Sequence, residues 1–209
     1  FMPSMDGGGV EKNLFIFSNF LSKYIKHLTL ITFDDGFNNK FSKKIKIINF
    51  KKKNNKKFRK NTKYLICLLI LSKEILFNKK TSVLSFQANI YSLVLSKILG
   101  FKIIIRSNSS PTGWSNNFFK KKIFKIFFKF AQIIVVNSKK FKKEIDQEYD
   151  VKSEVIYNPL NMKEIHKKSK EKIMINLFTE QKALKIINIA RFTDQKDHLT
   201  LLKAFREVS

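Results

Sequence analysis

The chain has 209 residues, 44% of them hydrophobic, which excludes a disordered polar chain and allows one large or two small domains. Its 42 basic residues against 16 acidic ones leave a formal charge of +26, a balance that favours polyanionic partners such as anionic lipid headgroups, phosphorylated ligands or nucleic acid. The single cysteine, Cys67, excludes an intramolecular disulfide, and the longest apolar run, 64–71, is far shorter than the roughly 20 residues that span a bilayer.

Residues 1–5 read as the tail of a first strand that hands over at Gly7, Gly8 and Gly9 to a helix. "HLTLITF" (27–33) and "IKIINF" (45–50) read as strands, 62–77 as a helix and "TSVLSF" (81–86) as a strand. The run 88–100 has helical periodicity and stops at Gly100, a natural C-cap. "FKIIIRS" (101–107) is nearly continuous in β-branched residues, as expected of a strand buried on both faces. A helix at about 117–130, a strand at 132–138, a helix from about 139 and a strand at 153–158 follow. This alternation predicts an α/β fold, a Rossmann-like doubly wound parallel sheet, over residues 1–159.

Past Pro159 the pattern changes. Residues 160–183 read as a lysine-rich connector with a weak helix, and 184–209 as one strand (184–192) and one helix (197–208). One βα unit cannot bury its own apolar faces, so an incomplete second domain is expected, in a chain cut at both ends. No signal peptide is visible, and a cytoplasmic location is expected, with peripheral attachment to the inner face of the membrane as an option.

The glycines stand at the carboxyl edge of the predicted sheet, before a helix N-terminus, where a phosphate or sugar can approach the backbone. They are not a dinucleotide fingerprint, because Lys12 stands where that pattern needs Gly or Ala, and no Gly-Lys-Ser/Thr follows to make a P-loop. In "NIARFTDQKDH", Arg191 leaves a predicted strand and Lys196 opens a helix, two cations suited to a diphosphate. No metal motif is found; Asp34 and Asp35 read as a turn, and no histidine pair has ligand spacing. The segment 116–131 makes an amphipathic helix, with Phe119, Ile123, Ile126, Phe127 and Phe130 as the expected apolar stripe, broadened by Phe124 and Phe128, and Lys120, Lys121, Lys122, Lys125 and Lys129 on the remaining face. That face suits either an anionic membrane or the domain core.

Together, "MPSMDGGGVEKNLFIFSNFLSK", "IIVVNSKKFKKEI", "VIYNPLN" and "IINIARFTDQKDHLTLLKAF" resemble the family 4 retaining glycosyltransferases of the GT-B fold. The resemblance runs through essentially the whole chain and implies two Rossmann-like domains, of which the second is present only at its start. It implies a hexosyltransferase-type enzyme moving a sugar, with retention and without a metal or other cofactor, from a UDP- or GDP-linked donor. The acceptor would be an envelope or lipid-linked glycan, as in polysaccharide and lipopolysaccharide biosynthesis. Arg191 and Lys196 match the family's diphosphate-neutralising pair, although Ala190 stands where the family usually has Gly. Gly7, Gly8 and Gly9 match its phosphate and sugar loop, and Arg106, Asn108 and Ser109 its acceptor side, without the histidine many members carry there. The family's acidic motif lies beyond Ser209, so no catalytic residue is assigned, and the chain by itself is expected to be inactive. The alternatives are a basic nucleic-acid-binding module, disfavoured because the phenylalanines fall at core-like periods, and a noncatalytic remnant.

Overall fold

The computed structural model describes residues 1–50, 58–78, 80–108, 118–171 and 186–208. The chain divides into two compact units, Phe1–Met162 and Lys163–Ser209.

Among its described residues the first unit carries six parallel strands. β1 (Leu28–Thr32) pairs with β2 (Ile45–Asn49), and β3 (Ser82–Ser85), β4 (Lys102–Ser107), β5 (Ile133–Val136) and β6 (Ser153–Val155) follow one another in a second sheet. A single sheet was expected. The residues that join the two are the first three of the chain. The Phe1 nitrogen donates to the Leu84 carbonyl at 2.7 Å and the Phe86 N–H to the Phe1 carbonyl at 3.0 Å. On the other side, the Met2 N–H reaches the Ile31 carbonyl at 3.1 Å and the Phe33 N–H the Pro3 carbonyl at 3.0 Å. The tail of the expected first strand thus sits between β1 and β3, too short to form a continuous ladder with either.

The helices are α1 (Gly9–Leu21), α2 (Lys60–Phe77), α3 (Asn89–Leu99), α4 (Phe118–Phe128) and α5 (Lys139–Tyr149). α3 ends at Gly100, which adopts φ +72° and closes the last turn without a Cβ clash. α5 begins at Ser138, whose hydroxyl accepts the Phe141 N–H at 3.1 Å. Because strand side chains alternate, two apolar layers form. Ile103, Ile105, Ile134 and Val136 face a core shared with α2 to α5, while Leu30, Ile45 and Phe86 pack with Leu14 of α1 in a separate cluster. Cys67 lies in the first core; burial, with the Asp34 charge adding, pushes its thiol up to about 12.

α4 corrects the expected stripe. Phe128 is 2% exposed and Phe124 packs beside it against Tyr149, whereas Phe119 is 74% exposed and Ile123 and Ile126 also face outward. A helix with phenylalanine on nearly every side offers more than one apolar face. The geometry of the sheet and of α5 decides which face is buried.

α6 (Met162–Ser169) starts on the last residue of the first unit, and the second unit holds the rest of it, a 3-10 turn (Asp194–Lys196) and α7 (His198–Val208). The strand expected at 184–192 is not formed over 186–192, and Ile186, Ile187 and Ile189 are exposed. Among the described residues this unit holds no strand to receive a ladder, and an unpaired strand leaves its N–H and C=O groups unmet. The segment "IMINLF" of the connector lies outside the described residues.

Candidate functional site

The loop from Ser4 to Gly8 leaves the edge of β1 and β3 and enters α1. Three consecutive amides in it are taken by side chains from three places. The Ser4 N–H goes to Gln87 Oε1 at 2.9 Å, the Met5 N–H to Asp34 Oδ2 at 3.0 Å and the Asp6 N–H to Glu11 Oε1 at 3.1 Å. Lys63, near the start of α2, places its Nζ 2.8 Å from both Asp34 oxygens, and the two side chains are only 13% and 17% exposed. Asp34, expected to serve a turn, is instead the charged anchor of this loop.

The chain then reaches φ +82° at Gly7, a conformation that only glycine adopts without strain. Gly8 is the N-cap of α1 and offers no side chain to cap it. Glu11, third residue of the helix and 7% exposed, supplies the carboxylate instead. A Cβ built on Gly8 would meet Glu11 Oε2 at 3.0 Å, whereas one on Gly9 would meet nothing within 4 Å. The close approach in this loop is therefore to Glu11 on one side and to open space on the other.

Arg106 was expected on the acceptor side. It is 1% exposed, and its Nη2 donates to the Ile156 carbonyl at 3.0 Å and to Asn158 Oδ1 at 2.9 Å. Its guanidinium stacks over Phe17 and Phe86, and burial pulls its pKa below the ordinary arginine value. This side chain clamps β4 to the segment after β6. Asn108 donates from Nδ2 to the Phe86 carbonyl at 3.1 Å, and among the described residues its buried Oδ1 has no partner. Ser109 lies outside the described residues. A cavity of about 980 Å³ lies along this side of the sheet, with Leu14, Phe17, Ile104 and Arg106 in its wall; Gly7, Gly8 and Gly9 are not among its lining.

In the second unit, Arg191 and Lys196 are both exposed, and among the described residues neither side chain is spent in an ion pair. His198 opens α7, and its Nε2 lies 2.9 Å from the Arg191 carbonyl oxygen, which ties the arginine's backbone to the helix start. Asp197 caps α7 through the Thr200 N–H at 3.3 Å. Among the described residues no three acidic, histidine or cysteine side chains gather to hold a metal ion, and no helix is long and apolar enough to cross a membrane.

The sequence reading missed Lys63, Gln87 and the role of Glu11. For Glu11 a signal was present: a glutamate three residues after a helix-opening glycine has capping spacing. Gln87 and Asp34 reach the loop from 83 and 29 residues away, and no local pattern announces such contacts.

No protein-family model matches the chain, and no curated protein sequence matches it. Among solved structures it is similar to Alr3699/HepE of Anabaena in complex with UDP, at a TM-score of 0.55 and 16% identity. The same protein with UDP and glucose gives a TM-score of 0.53 at 16% identity, and with UDP-glucose 0.53 at 15%. Each match covers 78% of this chain and 44 or 45% of the other, so the chain spans less than half the length of the HepE chains it matches. At such identity the likeness shows the fold: mixed α/β with parallel sheets, the Rossmann-like half of a GT-B protein.

Proposed function

We propose that this chain belongs to a glycosyltransferase that takes a sugar from a nucleotide-diphosphate donor, UDP- or GDP-linked, and passes it with retention to an envelope or lipid-linked glycan acceptor. The observation that carries the reading is the likeness of its fold to HepE in complex with UDP-glucose. The motif resemblance to family 4 supports it. When the glycosidic bond breaks, the diphosphate leaves with the bonding electron pair and gains negative charge. Fixed cations can stabilise that charge without a metal, and Arg191 and Lys196 are the two assigned to it. The acceptor side is assigned to Arg106, Asn108 and Ser109, as the motif resemblance implies, with Arg106 also clamping β4 to the segment after β6.

The test is calorimetric titration of UDP-glucose into the chain. Binding is expected, with Arg191→Ala and Lys196→Ala each weakening it by about tenfold, the scale of a lost charge-assisted bond. No binding of UDP-glucose, together with salt-dependent binding of arbitrary DNA, would replace this reading with the nucleic-acid module.

The same reading places the enzyme at the inner face of a membrane. Its support is the outward Phe119, Ile123 and Ile126 of α4 beside the exposed Lys122, on a chain of charge +26.

A further inference from the structure

We propose that the gap between β1 and β3 is a strand site, filled in parallel register by about three apolar residues that run into Phe1 from its amino side. The walls of the gap carry this independently of the sugar-transfer reading. β1 is paired with β2 and β3 with β4, so among the described residues each keeps one edge free of a ladder. Phe1 to Pro3 bridge those edges at their upper ends, with Phe1 held between Leu84 and Phe86 and Met2 on the Ile31 carbonyl. Below Phe1 the gap is open. Backbone groups of a strand face alternate sides, so the edge of β3 that gives Phe1 the Leu84 carbonyl also presents the Leu84 N–H and the Ser82 carbonyl. On β1 the Ile31 N–H and the Thr29 carbonyl face the same gap. Ile31 and Ser85, level with Phe1 to Pro3, are buried, whereas Thr29 and Ser82 lower down are exposed.

A strand meets these groups in register. The residue before Phe1 donates to the Thr29 carbonyl and accepts the Ile31 N–H; the one before that donates to Ser82 and accepts from Leu84. The cavity of about 980 Å³ opens here, with Leu14 and Phe17 of α1 in one wall and Leu71 and Ile75 of α2 in another. Phe1 packs in the core of Leu71 and Ile75, and Met2 in the cluster of Leu14. Alternation therefore turns the residue before Phe1 toward Leu14 and Phe17, and the one before that toward Leu71 and Ile75. Both walls are apolar, so the occupant is apolar at every position, as in a parallel strand covered on both faces. The Phe1 nitrogen favours a covalent occupant. Burial pulls the pKa of this amine down to about 5. A peptide N–H in its place makes the same 2.7 Å bond to the Leu84 carbonyl without burying a charge. β3 begins at Ser82, about 10 Å below Phe1 at about 3.3 Å per residue, which sets the length.

The experiment extends the full chain at Phe1 by Ile-Val-Ile, by Gly-Ser-Gly or by Ile-Val-Lys, and follows amide hydrogen exchange and urea unfolding. Ile-Val-Ile is expected to slow exchange at the Ile31 and Leu84 amides about tenfold and to raise the urea midpoint. Gly-Ser-Gly should do neither, and Ile-Val-Lys, whose lysine is set against Leu14 and Phe17, should lose most of the gain. Equal behaviour of the three extensions would overturn the proposal. So would Ile31 and Leu84 amides that are already as protected as that of Ile105 in the unextended chain. Free Ile-Val-Ile peptide is added to the unextended chain in parallel. Protection equal to that given by the extension would make the gap a groove for separate peptides and remove the covalent occupant. Sedimentation equilibrium accompanies each sample: protection that comes only with dimerisation would assign the gap to a second copy and overturn the proposal in the same way.

Discussion

Gly7 and Gly9 should respond oppositely to an added methyl group. At φ +82° Gly7 sits where an L-residue crowds its own carbonyl, so Gly7→Ala should lower stability by about 1–2 kcal/mol. Gly9 opens α1 with free space around it, and Gly9→Ala should raise stability by up to about 1 kcal/mol through the unfolded state. Urea unfolding of both variants checks the pair; equal effects would mean that the loop does not hold Gly7 in this conformation. Asp146 supplies a pH dependence. Burial alone would raise its pKa, but a bond from Lys142 at 2.8 Å and two from Ser153 at 2.7 Å outweigh it and hold the carboxyl below the usual range. A depressed folded pKa contributes stability that is complete above the unfolded value of about 3.9 and is lost as pH falls through the folded one. The urea midpoint should therefore fall steadily below about pH 4. Asp146→Asn, which cannot titrate, should flatten that part of the profile. A profile identical to that of the unsubstituted chain would show that this carboxylate does not contribute to acid sensitivity.

At the scale of elements, α4 shows what composition leaves open. Phe124 and Phe128 pack on Tyr149 and Phe119 points away, although the local sequence treats all three alike. Phe128→Ala should cost about 3–5 kcal/mol, as expected for an aromatic side chain removed from a packed core. Phe119→Ala should stay within about 0.5 kcal/mol. Thermal or urea unfolding separates them, and a reversed order would mean that α4 is rotated about its axis. α5 begins on a cap that the sequence reading did not name: the Ser138 hydroxyl accepts the Phe141 N–H.

For the whole molecule the net charge of +26 matters most through its surroundings. If α4 rests on a membrane, the chain should sediment with anionic vesicles and not with neutral ones, and the binding should weaken as salt screens the attraction. Phe119→Ala and Ile126→Ala should reduce that sedimentation without changing stability. Equal binding to both vesicle types, or to neither, would remove the membrane from the reading.

The strands and helices of the first unit were legible because their causes are local. A β-branched run such as Ile103–Ile105 and a helix closed by Gly100 carry their periods and stops within about ten residues. The family resemblance pointed to Arg191, Lys196 and the glycine loop in the same way, through short motifs. Where a strand depends on a partner, as at 186–192, local propensity was not enough, because its backbone groups are met only by another strand. The outward face of α4, the burial of Arg106 and the capture of the Ser4, Met5 and Asp6 amides were likewise decided by tertiary structure. Each depends on groups brought together from distant parts of the chain. Hydrogen bonds and charges act over a few ångströms of space, and the distance along the sequence carries no trace of them.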